Sequence, residues 1–288
     1  MTDRHRIGDG ELSATIQAHG AELISLRDAV GIELLWHAGP EWRRHAPVLF
    51  PIVGKLAGDT LRHAGKTYRL PQHGFARDRR FEWVAREPEQ CRLRLVSDEE
   101  SKALFPFAFA FDLTYAVAGG QLTVTATVAN PGRGPLPFSI GAHPAFRWPL
   151  APGIPKDQHG LTFEAPEPGP ARFLQQGLLG PEEPSPVQGR ELPLSPALFA
   201  RDAVILPGLA SRSVRFAAEE GPALEVAWDG YRDLGLWSKP EGADFLCIEP
   251  WHGTASPVGW DGEFSTKPGI VTLAAGETRS FTWSVRSA

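Results

Sequence analysis

Three short segments of this chain hold ionisable side chains where core packing does not ask for them. They are Gln72-His73-Gly74-Phe75-Ala76-Arg77-Asp78, Gly141-Ala142-His143-Pro144-Ala145-Phe146 and Ile248-Glu249-Pro250-Trp251-His252. His143 precedes a proline, which pushes it into extended backbone, so the imidazole is expected to stand stiffly at the end of a strand. His73 is followed by Gly74, which frees the backbone, and Arg77 or Asp78 could orient its ring. Glu249 follows Phe245 to Ile248, a run apolar on both faces, which is the pattern of a central strand. A carboxylate at the end of such a strand is partly desolvated, and its raised pKa suits it to accept a proton.

Histidine titrates near neutrality, so it can give a proton while a carboxylate takes one. Two histidines, one glutamate and several aromatics suggest proton transfer on a neutral polyhydroxylated ligand, chemistry that needs no cofactor. Spacing alone leaves plainer roles open. Glu249 could cap a strand or pair with an arginine, His73 could be a satisfied structural histidine, and His252 reads as a rim residue. The helical HExxH and paired CxxC spacings are absent, so no metal is expected, although a site of His73, His143 and Glu249 assembled in space stays open. No GxSxG occurs, and neither Cys91 nor Cys247 lies in an activated context. A glycosidase would need a second carboxylate beside Glu249, with Asp202 as the candidate.

These residues need a scaffold. Thirty glycines, 27 prolines, nine tryptophans and 16 phenylalanines in 288 residues fit many short strands joined by turns. Leu12, Ala14, Ile16 and Ala18 alternate with polar residues, and Phe109 to Asn130 reads as a hairpin turning at Gly119-Gly120. Further strands are expected at 21–26, 31–36, 66–70, 81–85, 91–96, 213–216, 224–228, 234–237, 245–248, 270–273 and 281–285, with short helical turns at 98–104 and 195–199. Residues 41–58, with Pro47, Pro51 and Gly54, read as a structured loop lining something. Residues 149–186 read as a long excursion over the surface. The expected fold is all-β: one large antiparallel β-sandwich over residues 1–288, with few short helices.

The composition, 42% hydrophobic and 22% charged, is that of a soluble globular protein. A net charge of −5 without a basic run argues against a nucleic-acid partner. The polar start of the chain, the lack of a long apolar run and two isolated cysteines point to a reduced, cytoplasmic protein that neither binds nor crosses a membrane. Oligomeric state is not readable.

The segments HGFARD at 73–78, GAHPAF at 141–146 and EPW at 249–251, behind Pro-Val-Leu-Phe-Pro-Ile-Val-Gly at 47–54, resemble the aldose 1-epimerases (galactose mutarotases), most closely the LacX-like branch. The resemblance runs from about Gly8 to the C-terminus. It implies a β-supersandwich with an open sugar cleft, no metal and no cofactor, and a small sugar as substrate. It also implies roles: Glu249 as base on the anomeric hydroxyl, His143 as acid on the ring oxygen and His73 as a second histidine near that oxygen. Asp202 matches a hydroxyl-binding aspartate, Arg44 a sugar-binding arginine with Arg43 and Lys55 as neighbouring alternatives, and Arg77 and Trp251 further sugar contacts. The Asn-Arg pair usual in galactose mutarotases is absent, so galactose is not singled out. A hexose-6-phosphate mutarotase and a non-catalytic sugar-binding or regulatory protein on the same scaffold are the alternatives.

Overall fold

The structure, a computed structural model, describes residues 3–218, 220–240 and 242–288. Two large antiparallel sheets dominate it, one of nine strands and one of eight. The expected hairpin forms as Ala110–Ala118 and Gln121–Ala129, and the second strand continues onto Thr278–Ser287 at the middle of the nine-stranded sheet. Phe111, Leu113, Val124, Phe281 and Val285 from its inner face pack with Val204, Leu206, Leu234, Leu236, Leu246 and Ile248 from the eight-stranded sheet, making one core between the layers. Alternation then sends the odd-numbered residues of Phe245–His252 to the opposite face. There Leu49, Ile205 and Trp251 form one small apolar cluster, and Phe245, Cys247 and Trp36 form another.

The fold is therefore the all-β sandwich expected, with a single α-helix among the described residues, Glu99–Leu104. Asp98 caps it, accepting the Ser101 amide while the Ser101 hydroxyl accepts the Asp98 amide. The turn expected at 195–199 is a 3-10 helix, Pro196–Phe199. No helix among the described residues is long and apolar enough to cross a membrane.

Three local expectations need correction. Residues 31–36 form no strand: Glu33 turns its carboxylate onto the Leu26 amide and the Ser25 hydroxyl, and the backbone then passes from Leu26 to Ala145 for its bonds. Residues 149–186 are no mere excursion, since they contribute His159–Phe163 to the larger sheet and Ala171–Gln175 and Leu178–Glu183 to the smaller. These strands are short, and the last carries Pro181 because it is an edge, where a missing donor is tolerated. Glu249 lies inside its strand, which runs on to His252.

Pro250 is accommodated because the neighbouring strand is broken at the same level. Ile140–Ala142 and Ala145–Arg147 both pair with Phe245–His252, and His143-Pro144 interrupts them. The Ile248 amide donates to Pro144 O, and alternation aims the donorless nitrogen of Pro250 at that neighbour. On the other side, Gly235 pairs with Glu249. A Cβ on Gly235 would stand 2.4 Å from the Trp251 ring, and one on Gly141 2.5 Å from it, so both glycines make room for that indole. Gly235→Ala is expected to cost about 1–3 kcal/mol through overpacking. Urea unfolding checks it: the midpoint falls with an unchanged m-value.

Candidate active site

The odd-face side chains of the eight-stranded sheet floor a cleft of about 340 Å³. Because Gly141 pairs with Trp251 and Ala145 with Cys247, His143 falls directly opposite Glu249. The row continues through Gly235 to Ile205, and Leu174, Ala203 and Trp237 line the cleft beside it. His143 and Glu249 are 8% and 1% exposed, with His143 Nε2 3.2 Å from Glu249 Oε2. The two atoms are close without an aligned hydrogen bond, and Glu249 Oε2 finds no other partner.

Burial lowers the His143 pKa from 6.5 to about 3, aided by the positive charge of Arg77 and Arg44. Burial raises Glu249 well above the ordinary carboxylate range. The Trp251 indole N–H opposes that rise and Asp202 adds to it. That N–H is buried and makes no hydrogen bond of good geometry, so its effect on Glu249 is one of proximity.

His73 is fixed by a reciprocal pair of bonds. Its amide donates to Gly54 O at 2.8 Å, and the Gly54 amide donates to its Nδ1 at 3.1 Å. With Nδ1 used as an acceptor, the proton of the neutral ring resides on Nε2, and the Gln72 side-chain nitrogen 3.3 Å away, also a donor, makes no hydrogen bond to it. His73 adopts φ of 65°, a left-handed conformation rare for a non-glycine, next to Gly74 at 68°. Gly74 is required there: a Cβ would stand 2.3 Å from Phe50 O. Burial first, then His143 and the two arginines, hold the His73 pKa well below 6.5.

Residues 41–58 line the cleft, as expected, through Trp42, Arg44 and Gly54. Glu22 anchors this segment from below, accepting the His45 and Ala46 amides at 2.7 and 3.1 Å. Trp42 stacks on His143 with centroids 4.9 Å apart, and Trp237 meets the same imidazole edge-on at 5.8 Å. Arg44 donates to Asp78 at 2.8 Å. Arg77 donates to Gln72 O at 2.8 Å, and burial lowers its pKa to about 10. Arg43 is exposed and Lys55 lies 3.9 Å from Asp59; neither lines the cleft.

All seven residues singled out for the site, His73, His143, Glu249, Asp202, Arg44, Arg77 and Trp251, line this one cleft. Sequence reasoning missed Trp42 and Trp237. The position of Trp42 two residues before Arg44, in a segment already read as a lining loop, was a usable signal; Trp237 carries none.

Comparison with known proteins agrees in fold and family. The family model described as Aldose 1-epimerase matches residues 3–272. Protein LacX, plasmid, of Lactococcus lactis subsp. lactis is 29% identical over 286 residues, spanning 95% of this chain and 96% of the relative. The crystal structure of a galactose mutarotase related enzyme from Lactobacillus acidophilus superposes with a TM-score of 0.93 at 32% identity, covering 99% of this chain and 97% of that one. A galactose mutarotase-like protein from Lactobacillus casei gives 0.91 at 30% identity, covering 99% and 100%. With its buried histidine–glutamate pair on this sandwich, the chain belongs to the aldose 1-epimerase family, in its LacX-like part.

Proposed function

We propose that this protein interconverts the α and β anomers of a free aldose by opening and reclosing the hemiacetal ring, without a cofactor. The observation that carries this reading is the His143–Glu249 pair, 3.2 Å apart and buried at the floor of an aromatic-walled cleft. Ring opening takes a proton from the anomeric hydroxyl and gives one to the ring oxygen. Those two oxygens share one carbon, so a base and an acid must stand side by side.

Glu249 is the base on the anomeric hydroxyl and His143 the acid on the ring oxygen. Burial disfavours charge on either group alone, but one proton shared within the pair leaves the pair neutral overall. The reacting tautomer, carboxylate beside imidazolium, is reached by moving the shared proton from Glu249 to His143, and attraction across 3.2 Å and the nearby Trp251 N–H offset part of its cost. Glu249 takes the hydroxyl proton as His143 delivers its own to the ring oxygen, and the ring opens to the aldehyde. After rotation about the C1–C2 bond, Glu249 returns its proton to the new hydroxyl and His143 recovers its own, so the site resets. His73 offers its Nε2 proton near the ring oxygen, while Asp202, Arg44, Arg77 and Trp251 hold the sugar.

Charge supports a neutral sugar over a sugar phosphate. The cations lining the cleft, among the described residues, are Arg44 and Arg77; Arg44 is matched by Asp78, and Asp202 adds a negative charge to the lining. Glu249→Gln and His143→Asn are each expected to slow anomer exchange by about 10²–10⁴-fold. NMR exchange or polarimetry on a panel of aldoses tests this: full activity in the Gln variant, or no acceleration by the native protein, contradicts the assignment.

The buried pair also sets a pH dependence of stability. With its folded pKa near 3 against an ordinary 6.5, His143 contributes fully above pH 6.5. That contribution is lost as pH falls towards 3, because the unfolded chain takes up a proton the folded chain refuses. Glu249 has the opposite sign: its folded pKa is raised, so its contribution is present below 4.5 and lost as pH rises. His143→Asn should therefore lower the slope of stability against pH between 4.5 and 6.5, where it leaves the opposing Glu249 contribution uncompensated, by up to about 1.4 kcal/mol per pH unit. Urea unfolding across that range reads the slope, and an unaltered slope would contradict a buried neutral imidazole.

A further inference from the structure

Cys247 has no part in the acid–base reading, yet it lies two residues from Glu249 on the same strand face and is fully buried. Ligand atoms of His143, Cys247 and Glu249 all lie within 4.8 Å of one another. Glu249, 1% exposed, has its unpartnered Oε2 in this group, 3.2 Å from Nε2 of His143, which is 8% exposed. The cluster is thus more than a single thiol: it joins a nitrogen, a sulfur and an oxygen donor, the oxygen with unmet hydrogen-bonding capacity.

We infer that His143, Cys247 and Glu249 form a three-ligand site for a thiophilic divalent cation such as Zn²⁺, and that occupation of this site inhibits the enzyme. Zinc takes sulfur at about 2.3 Å and nitrogen or oxygen at about 2.0–2.2 Å, so ligands of a tetrahedral ion stand roughly 3.5 Å apart. Closing the present cluster onto an ion requires movements of about 1 Å. His143 and Glu249 also line the cleft, although Cys247 does not, so water or a sugar hydroxyl from the cleft would supply the fourth ligand. Binding displaces two protons to solvent, one from the Cys247 thiol and one from the His143–Glu249 pair, leaving a thiolate and a carboxylate to balance the ion. Both partners of the proton exchange are then committed to the metal.

Burial alone keeps the Cys247 thiol protonated, with Glu249 adding to the effect. Coordination reverses that preference, because a bound cation deprotonates a ligating thiol. Cys91 is also buried but belongs to no such donor group among the described residues.

The inhibitory part of this inference rests on the acid–base reading of the site; the binding part does not. The test compares the native protein with Cys247→Ala, titrating Zn²⁺ alone in a non-chelating buffer while following anomer exchange of D-glucose and D-galactose. In parallel, Cd²⁺ is added and cadmium–thiolate charge-transfer absorbance is followed. The expected result is one ion per chain, loss of exchange on occupation, and a thiolate band that a saturating sugar suppresses. Cys247→Ala should turn over normally without metal and lack the band. It should need at least about tenfold more Zn²⁺ for half-inhibition, since even an outer partner of a metal ligand is worth roughly 10–100-fold. Absence of the band in the native protein, or equal zinc sensitivity in the variant, overturns the site. If the native protein accelerates neither sugar, the cadmium band and ion stoichiometry still decide the metal site, so the two readings fail separately.

Discussion

Two ionisable side chains removed from water and placed opposite each other on adjacent strands are the constraint around which this molecule is arranged. A buried charge without a partner costs several kcal/mol, so neither His143 nor Glu249 would be tolerated here alone and ionised. Side by side at 3.2 Å they need only one mobile proton between them. Trp42 and Trp237 keep the imidazole dry from two directions, and the Trp251 N–H steadies the carboxylate. Dryness makes each of these short-range effects stronger than it would be in water.

Precision comes from backbone rather than from long flexible side chains. His143 and Glu249 take their separation from strand pairing, and His73 takes its ring orientation from two bonds to Gly54. The cost is local strain, most evident in the left-handed backbone of His73, which the surrounding contacts hold in place. Glu22 performs a similar office for the segment carrying Trp42 and Arg44, tying two of its amides to a buried carboxylate.

Much of this was legible in the sequence. The alternation in residues 109–130 and the apolar faces of Phe245 to Ile248 gave the sheets, because period-two patterning is a local property. The segments of His73, His143 and Glu249 stood out through their glycine or proline neighbours, while their roles, and the choice of Arg44 and Asp202, came from the family resemblance. What could not be read was set by partners distant in the chain. Residues 31–36 look like a strand until the Glu33 carboxylate takes the bonds a ladder would use. Pro250 reads as a strand end until the neighbouring strand proves to be broken at His143-Pro144. Trp237 has no local mark at all; only the layout of the sheet brings it to His143.

The opposition of His143 and Glu249 has a bearing on folding fidelity. Successive strand residues face opposite ways, so a slip of one residue between the two strands would turn one member of the pair into the core between the layers. Such a chain could keep its β content and much of its burial while separating the pair on which the proposed chemistry depends. On the proposed acid–base reading, anomer exchange is thus a more stringent report of correct strand alignment in this protein than any spectroscopic measure of sheet content.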